Sequence, residues 1–166
     1  ITGTEKFGQP MISITQVYDI GVFDFYILPY SRERVFTGTK GRPRLAYEID
    51  YNSTTYESSL KENKIGGALR FSKVIDDFDL GLSHYFGTAR DPELNINTGS
   101  LKLEPYYPIL SQTGIDLQAT IGSCLYKLEA VTADKNSERH TSLAGGIEYT
   151  FYQVNNTSAD LGIITE

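Results

Sequence analysis

The sequence predicts an all-β chain, folded as an antiparallel up-and-down meander that forms a β-barrel of about eight spanning strands. Three observations predict it. Alternation of apolar and polar residues with period two is the dominant periodicity of the 166 residues. The connections between alternating stretches are short and long by turns. Aromatic side chains gather at two levels, one beside the short turns and one toward the long connections. No segment carries convincing helical spacing over ten or more residues.

The elements follow in chain order. A strand at Met11–Tyr18 turns near Asp19–Gly21 into Val22–Leu28, where Phe23, Phe25 and Ile27 share one face and Asp24 and Tyr26 the other. Ile65–Phe71 sets Ile65, Leu69 and Phe71 against Gly66, Ala68 and Arg70. After a short turn at Lys73–Asp77, Phe78–Phe86 sets Phe78, Leu80, Leu82, His84 and Phe86 against Asp79, Gly81, Ser83 and Tyr85. A further strand starts at Leu101, and Pro108–Thr113 reads as a short turn. Ile115, Leu117, Ala119 and Ile121 then oppose Asp116, Gln118, Thr120 and Gly122. Leu143, Ile147, Tyr149 and Phe151 oppose Ser142, Glu148, Thr150 and Tyr152. A turn at Gln153–Ser158 leads to Ala159–Thr165. Long connections are expected at Pro29–Asn63, Gly87–Ser100 and Thr132–His140.

Leu45–Tyr51 has the cleanest alternation in the chain. Counting it as a spanning strand would put the Lys73–Asp77 turn on the side of the long loops. We therefore assign residues 45–51 to a possible extra strand inside a structured loop over 29–63, within a single barrel domain or fragment spanning 1–166. A loop that long in a compact domain points to function.

Tyr18, Phe23, Phe78, Tyr107 and Phe151 lie beside short turns, and Tyr30, Tyr85, Phe86 and Tyr126 toward the long loops. Two aromatic levels around an apolar band suit membrane interfaces, because tyrosine has an apolar body and a wet tip. The opposite strand face is rich in Gly, Ser and Thr. Exposed strands of soluble proteins more often carry Lys and Glu as protection against edge pairing.

Composition narrows the function. The net charge is −6 and the pI about 4.9, unsuited to sequence-independent nucleic-acid binding, which needs a basic surface. The longest uncharged apolar stretch, Phe25–Tyr30, is far below the roughly 18 to 20 residues of a spanning helix. One cysteine, Cys124, excludes an internal disulfide, and with two histidines no metal centre or cofactor is expected. Cys124 reads as an inert thiol on the polar face. The absence of an initiating Met, and Glu166 following an apolar run, suggest a fragment of a larger transmembrane barrel.

The stretches FYILPYSRERVF (Phe25–Phe36), YESS (Tyr56–Ser59), GALRFS (Gly67–Ser72), FDLGL (Phe78–Leu82), FGTARDP (Phe86–Pro92), PYYPI (Pro105–Ile109), QTGIDLQ (Gln112–Gln118), KLEA (Lys127–Ala130) and GGIEYTFY (Gly145–Tyr152) occur in this order from about Pro10 onward. In order and spacing the chain resembles an uncharacterised family of bacterial outer-membrane, porin-like β-barrel proteins. It departs in having no Trp, where family members often do. The resemblance implies an outer-membrane barrel and supplies neither substrate nor catalytic residue.

The functional candidates follow. Ser31–Arg44 holds Arg32, Arg34, Lys40, Arg42 and Arg44 against Glu33, a local charge of about +4 in a chain otherwise near −10. It suits an anion-selective constriction, contact with lipopolysaccharide phosphates, or a solvated loop balanced by carboxylates. Arg70 and Glu148 lie inside strands and are lumen candidates that could pair with each other. Asp79, Asp116 and Asp160 read as turn-ending aspartates. Leu80, Leu82, Ile115, Leu117, Ile121 and Ile147 are expected to face lipid. Ser83 and His84 are adjacent on a strand and so point to opposite faces, and no G-x-S-x-G occurs, so no enzyme is expected. The expected role is passive, porin-like passage or surface binding of a small solute in the bacterial outer membrane, with lipid or lipopolysaccharide as partner. The alternative is a soluble, lipocalin-like barrel binding an apolar ligand, with Leu80, Leu82, Ile115, Leu117 and Ile121 inward.

Overall fold

The structure is a computed structural model that describes residues 8–38, 40–42 and 45–166. Strands dominate, and no α-helix occurs among the described residues. The chain divides into two compact units. The first comprises residues 1–12, 26–67 and 86–110, and the second 13–25, 68–85 and 111–166.

The main sheet has eight strands: β1 (Ile12–Tyr18), β2 (Gly21–Leu28), β4 (Gly66–Ile75), β5 (Phe78–Thr88), β8 (Ile109–Ile121), β9 (Cys124–Lys135), β10 (Glu138–Phe151) and β11 (Leu161–Thr165). Their order in the sheet is their order in the chain. A second sheet holds β3 (Thr55–Tyr56), β7 (Lys102–Tyr107) and β6 (Glu93–Asn97), in that order. Both excursions that leave the main sheet, between β2 and β4 and between β5 and β8, supply this second sheet.

The main sheet is open. Among the described residues no pairing joins β1 to β11, so this sheet does not close on itself. β11 is only five residues long and reaches β10 from Phe151 back to Ile147, which leaves residues 138–146 of β10 paired to β9 alone. Both edge strands are exposed along their whole length.

The count of eight stands, but its members differ from those expected. The strand expected at Leu101 belongs to the second sheet. Its place is taken by β9, which the alternation did not reveal. Thr132–His140 is not a long connection: β9 and β10 form a hairpin with Lys135 opposite Glu138. Asn136 and Ser137 occupy its two-residue turn with φ of 55° and 62°. Two left-handed residues match the twist of the flanking strands, and Asn tolerates that conformation well. Pro108–Thr113 is not a turn either, since all but Pro108 lies in β8. Leu45–Tyr51 forms no ladder; Ile49 alone makes a parallel bridge to Leu103.

In the second unit, Phe23 packs on Phe71 with ring centroids 4.9 Å apart, so β2 and β4 share an apolar face. Register carries that arrangement across β9 to β11: Ile147 lies opposite Tyr126 and Tyr149 opposite Ile163. Cys124 lies opposite Tyr149. It therefore sits on the apolar face, a correction to its expected place, because the turn at Gly122–Ser123 resets the parity.

Candidate functional site

The polar face of the main sheet carries the most organised chemistry in the second unit. Arg70 on β4 donates from both terminal nitrogens to the two carboxylate oxygens of Asp116 on β8, each at 2.8 Å. β5 lies between those strands in the sheet. Gly81 on β5 makes the span possible. A Cβ at that position would overlap both the Asp116 carboxylate and the Arg70 guanidinium. The bridge thus passes over β5 where β5 has no side chain. Both partners are about two-fifths exposed.

This arrangement corrects the expectation for Asp116. It is a mid-strand ion-pair partner, eight positions into β8, and not a turn-ending aspartate. It also gives Arg70 a partner other than Glu148, which is half-buried on β10 with Leu125 and Ile164 as its register neighbours. Asp160 does fit the turn role: its Oδ1 accepts from the Gln153 backbone N–H at 2.9 Å.

Arg70, Asp79, Asp116, Lys127 and Glu129 line one open hollow of about 540 Å³ on this face, together with Ser83 and Gln118. Thr15 Oγ1 donates to Asp24 Oδ1 at 2.6 Å toward the β1 edge. Ser83 and His84 diverge: Ser83 Oγ approaches the Gly114 carbonyl at 3.5 Å, and His84 Nδ1 lies 2.9 Å from Thr113 Oγ1. No group of three or more His, Cys, Asp or Glu side chains among the described residues is arranged to hold a metal.

The opposite face is apolar and open. Leu82, Ile115, Ile121 and Ile147 are 46–51% exposed, and Leu80 and Leu117 are half-exposed. Phe25, Phe78, Leu128, Phe151 and Ile163 extend the same exposed surface. On β8 the polar face has Gly114 buried, Asp116 and Gln118 half-buried and Thr120 exposed, and the apolar face has Ile115 and Ile121 exposed, Leu117 half-buried and Ala119 buried.

In the first unit the basic segment is anchored at its stem. The Arg34 side chain pairs with Asp91 and lies 5.5 Å from the Phe36 ring centroid, and its backbone N–H donates to Tyr107 Oη at 2.8 Å. Tyr56 donates from its hydroxyl to Glu33 Oε1 at 2.6 Å and stacks on Tyr107 at 5.1 Å between centroids. Ser31 N–H donates to the Glu62 carbonyl. Arg32 and Arg42 are exposed, and Arg44 lies outside the described residues. Sequence pattern identified this segment by charge. It missed Tyr56, Tyr107 and Asp91, which hold it, because each is far away in the chain.

Burial first, then the hydrogen bond to the Glu33 carboxylate, pushes the Tyr56 hydroxyl well above the ordinary tyrosine range. Burial raises Tyr107 too, against the lowering effect of its bond from the Arg34 backbone. A folded-state pKa above the unfolded one contributes stability that is complete below the unfolded value, about 10 for tyrosine, and is lost as pH rises beyond it. Alkaline titration followed by tyrosinate absorbance is therefore expected to show a late step that Tyr56→Phe diminishes. A single step near the ordinary value for all twelve tyrosines would contradict this packing.

Compared with protein-family models, with curated proteins and with solved structures, the chain matches none.

Proposed function

We propose that this chain is part of a bacterial outer-membrane β-barrel with a passive, porin-like role, passing or binding a small hydrophilic solute. The observation that carries the reading is the pairing of faces in the second unit. The apolar face carries exposed Leu82, Ile115, Ile121 and Ile147, and the polar face holds the half-buried Arg70–Asp116 bridge beside Asp79, Lys127 and Glu129. A lipid-facing exterior with a wet interior has that polarity, and a soluble barrel with an apolar ligand inside has the reverse. The chain-ordered sheet supports a meander. Lipid cannot satisfy the open edges of β1 and β11, so the reading requires those edges to be paired in the membrane, with each other or with further strands.

The test is fractionation followed by gel electrophoresis. The protein is expected in the urea-washed outer-membrane fraction, as a band whose mobility changes on boiling. Recovery in the soluble fraction without detergent would defeat the reading and return the lipocalin-like alternative, with Leu80, Leu82 and Leu117 turned to a ligand.

A further inference from the structure

We propose that the hollow on the polar face prefers small hydrated cations to anions, and that the Arg70–Asp116 bridge across Gly81 sets that preference. The inference deepens the porin-like reading and rests on it. The hollow is lined by two basic side chains, Arg70 and Lys127, and three acidic ones, Asp79, Asp116 and Glu129, for a formal charge of −1. The geometry decides which of these charges a passing ion meets. Both terminal nitrogens of Arg70 are committed to both oxygens of Asp116, so the guanidinium field closes on the carboxylate it touches. Asp79, Lys127 and Glu129 remain, with the acids in excess. Of the cationic stretch that suggested anion selectivity from sequence, the described residues Arg32, Arg34, Lys40 and Arg42 are not in this set, and Arg34 pairs with Asp91.

The bridge therefore works as a stored charge. Asp116→Asn keeps the size of the side chain and removes the anion that the Arg70 guanidinium faces, taking the formal charge from −1 to 0. Arg70→Gln does the opposite and takes it to −2. The bridge partners are only about two-fifths exposed, so they are screened less than charges on an open surface, and one unit in this hollow is expected to shift the permeability ratio on the order of threefold.

The experiment is the reversal potential in a potassium chloride gradient across a planar bilayer holding the protein. The wild type is expected to favour potassium over chloride. Arg70→Gln should raise that ratio about threefold, and Asp116→Asn should lower it to near one or below. Glu129→Gln takes the same hollow to zero charge without touching the bridge, and it carries the test if either bridge variant fails to give a heat-modifiable band. A conducting protein whose potassium-to-chloride ratio is the same in all folded variants, or whose wild type favours chloride, would overturn the inference and leave the porin-like reading standing. A folded, inserted wild type with no conductance would defeat that reading and the inference with it.

Discussion

On the outer-membrane reading proposed above, Leu117→Arg is expected to cost about 2–4 kcal/mol and to block insertion, because it would place a guanidinium on the apolar face. Leu117 sits on β8 between Ile115 and Ala119, on the face where Ile115 and Ile121 are exposed. Its chain neighbour Gln118 points the other way, as strand neighbours must. Gln118→Arg is therefore the control: same strand, same charge, opposite face, with a small expected effect. The readout is the heat-modifiable fraction in washed outer membranes, with the urea midpoint of the purified protein as the energetic measure. An inserted Leu117→Arg protein of wild-type stability would rule out a lipid-facing position. If Leu117→Arg instead abolished a fold recovered without detergent, Leu117 would belong to an apolar interior.

The contrast between those two substitutions depends on a face assignment read from the alternation. Alternation placed Leu80, Leu82, Ile115, Leu117, Ile121 and Ile147 on one face; in the structure Leu80 and Leu82 keep one parity on β5, Ile115, Leu117 and Ile121 keep one parity on β8, and Leu117 and Ile147 line one hollow. What was not legible is instructive. β8 begins at Ile109 and β10 at Glu138, yet clear alternation starts only at Ile115 and Leu143. In the first halves of these strands, Ser111, Thr113, Arg139 and Thr141 stand in the apolar parity. Backbone ladders hold those halves in the sheet, and backbone hydrogen bonding leaves no side-chain signature. β9 was hidden for a related reason. Lys127 and Glu129 stand between Leu125 and Val131 on its polar face, so two aliphatic residues blur the period.

The turn between β9 and β10 shows a second limit. Thr132–His140 reads as a polar, charged loop. Only the backbone reveals that Asn136 and Ser137 take left-handed conformations and close the hairpin in two residues. In the same way, no local pattern could pair Arg70 with Asp116, 46 positions apart. Closed register between β4, β5 and β8 brings them within reach, and the absence of a side chain at Gly81 completes the contact.

Gly81→Ala is expected to destabilise the sheet by about 1–2 kcal/mol, the range for a half-exposed, charge-assisted pair after solvent screening. What the new methyl meets decides the effect. It would overlap the ends of two flexible side chains and not the backbone, so the bridge can swing away and the strands can stay. The expected loss is therefore the bridge and not the fold. This separates the role of Gly81 from the usual effect of glycine in a strand. Elsewhere in a strand, alanine should be no worse than glycine, since glycine has the greater backbone entropy to lose. With Arg70 and Asp116 both changed to alanine there is nothing left to displace, and Gly81→Ala should then be neutral or slightly stabilising. The difference between the two backgrounds, measured as unfolding free energies in urea, gives the coupling directly. A coupling near zero would mean that the bridge does not depend on the gap at Gly81. A coupling above about 1 kcal/mol would mean that one missing side chain on β5 lets β4 and β8 hold each other across it.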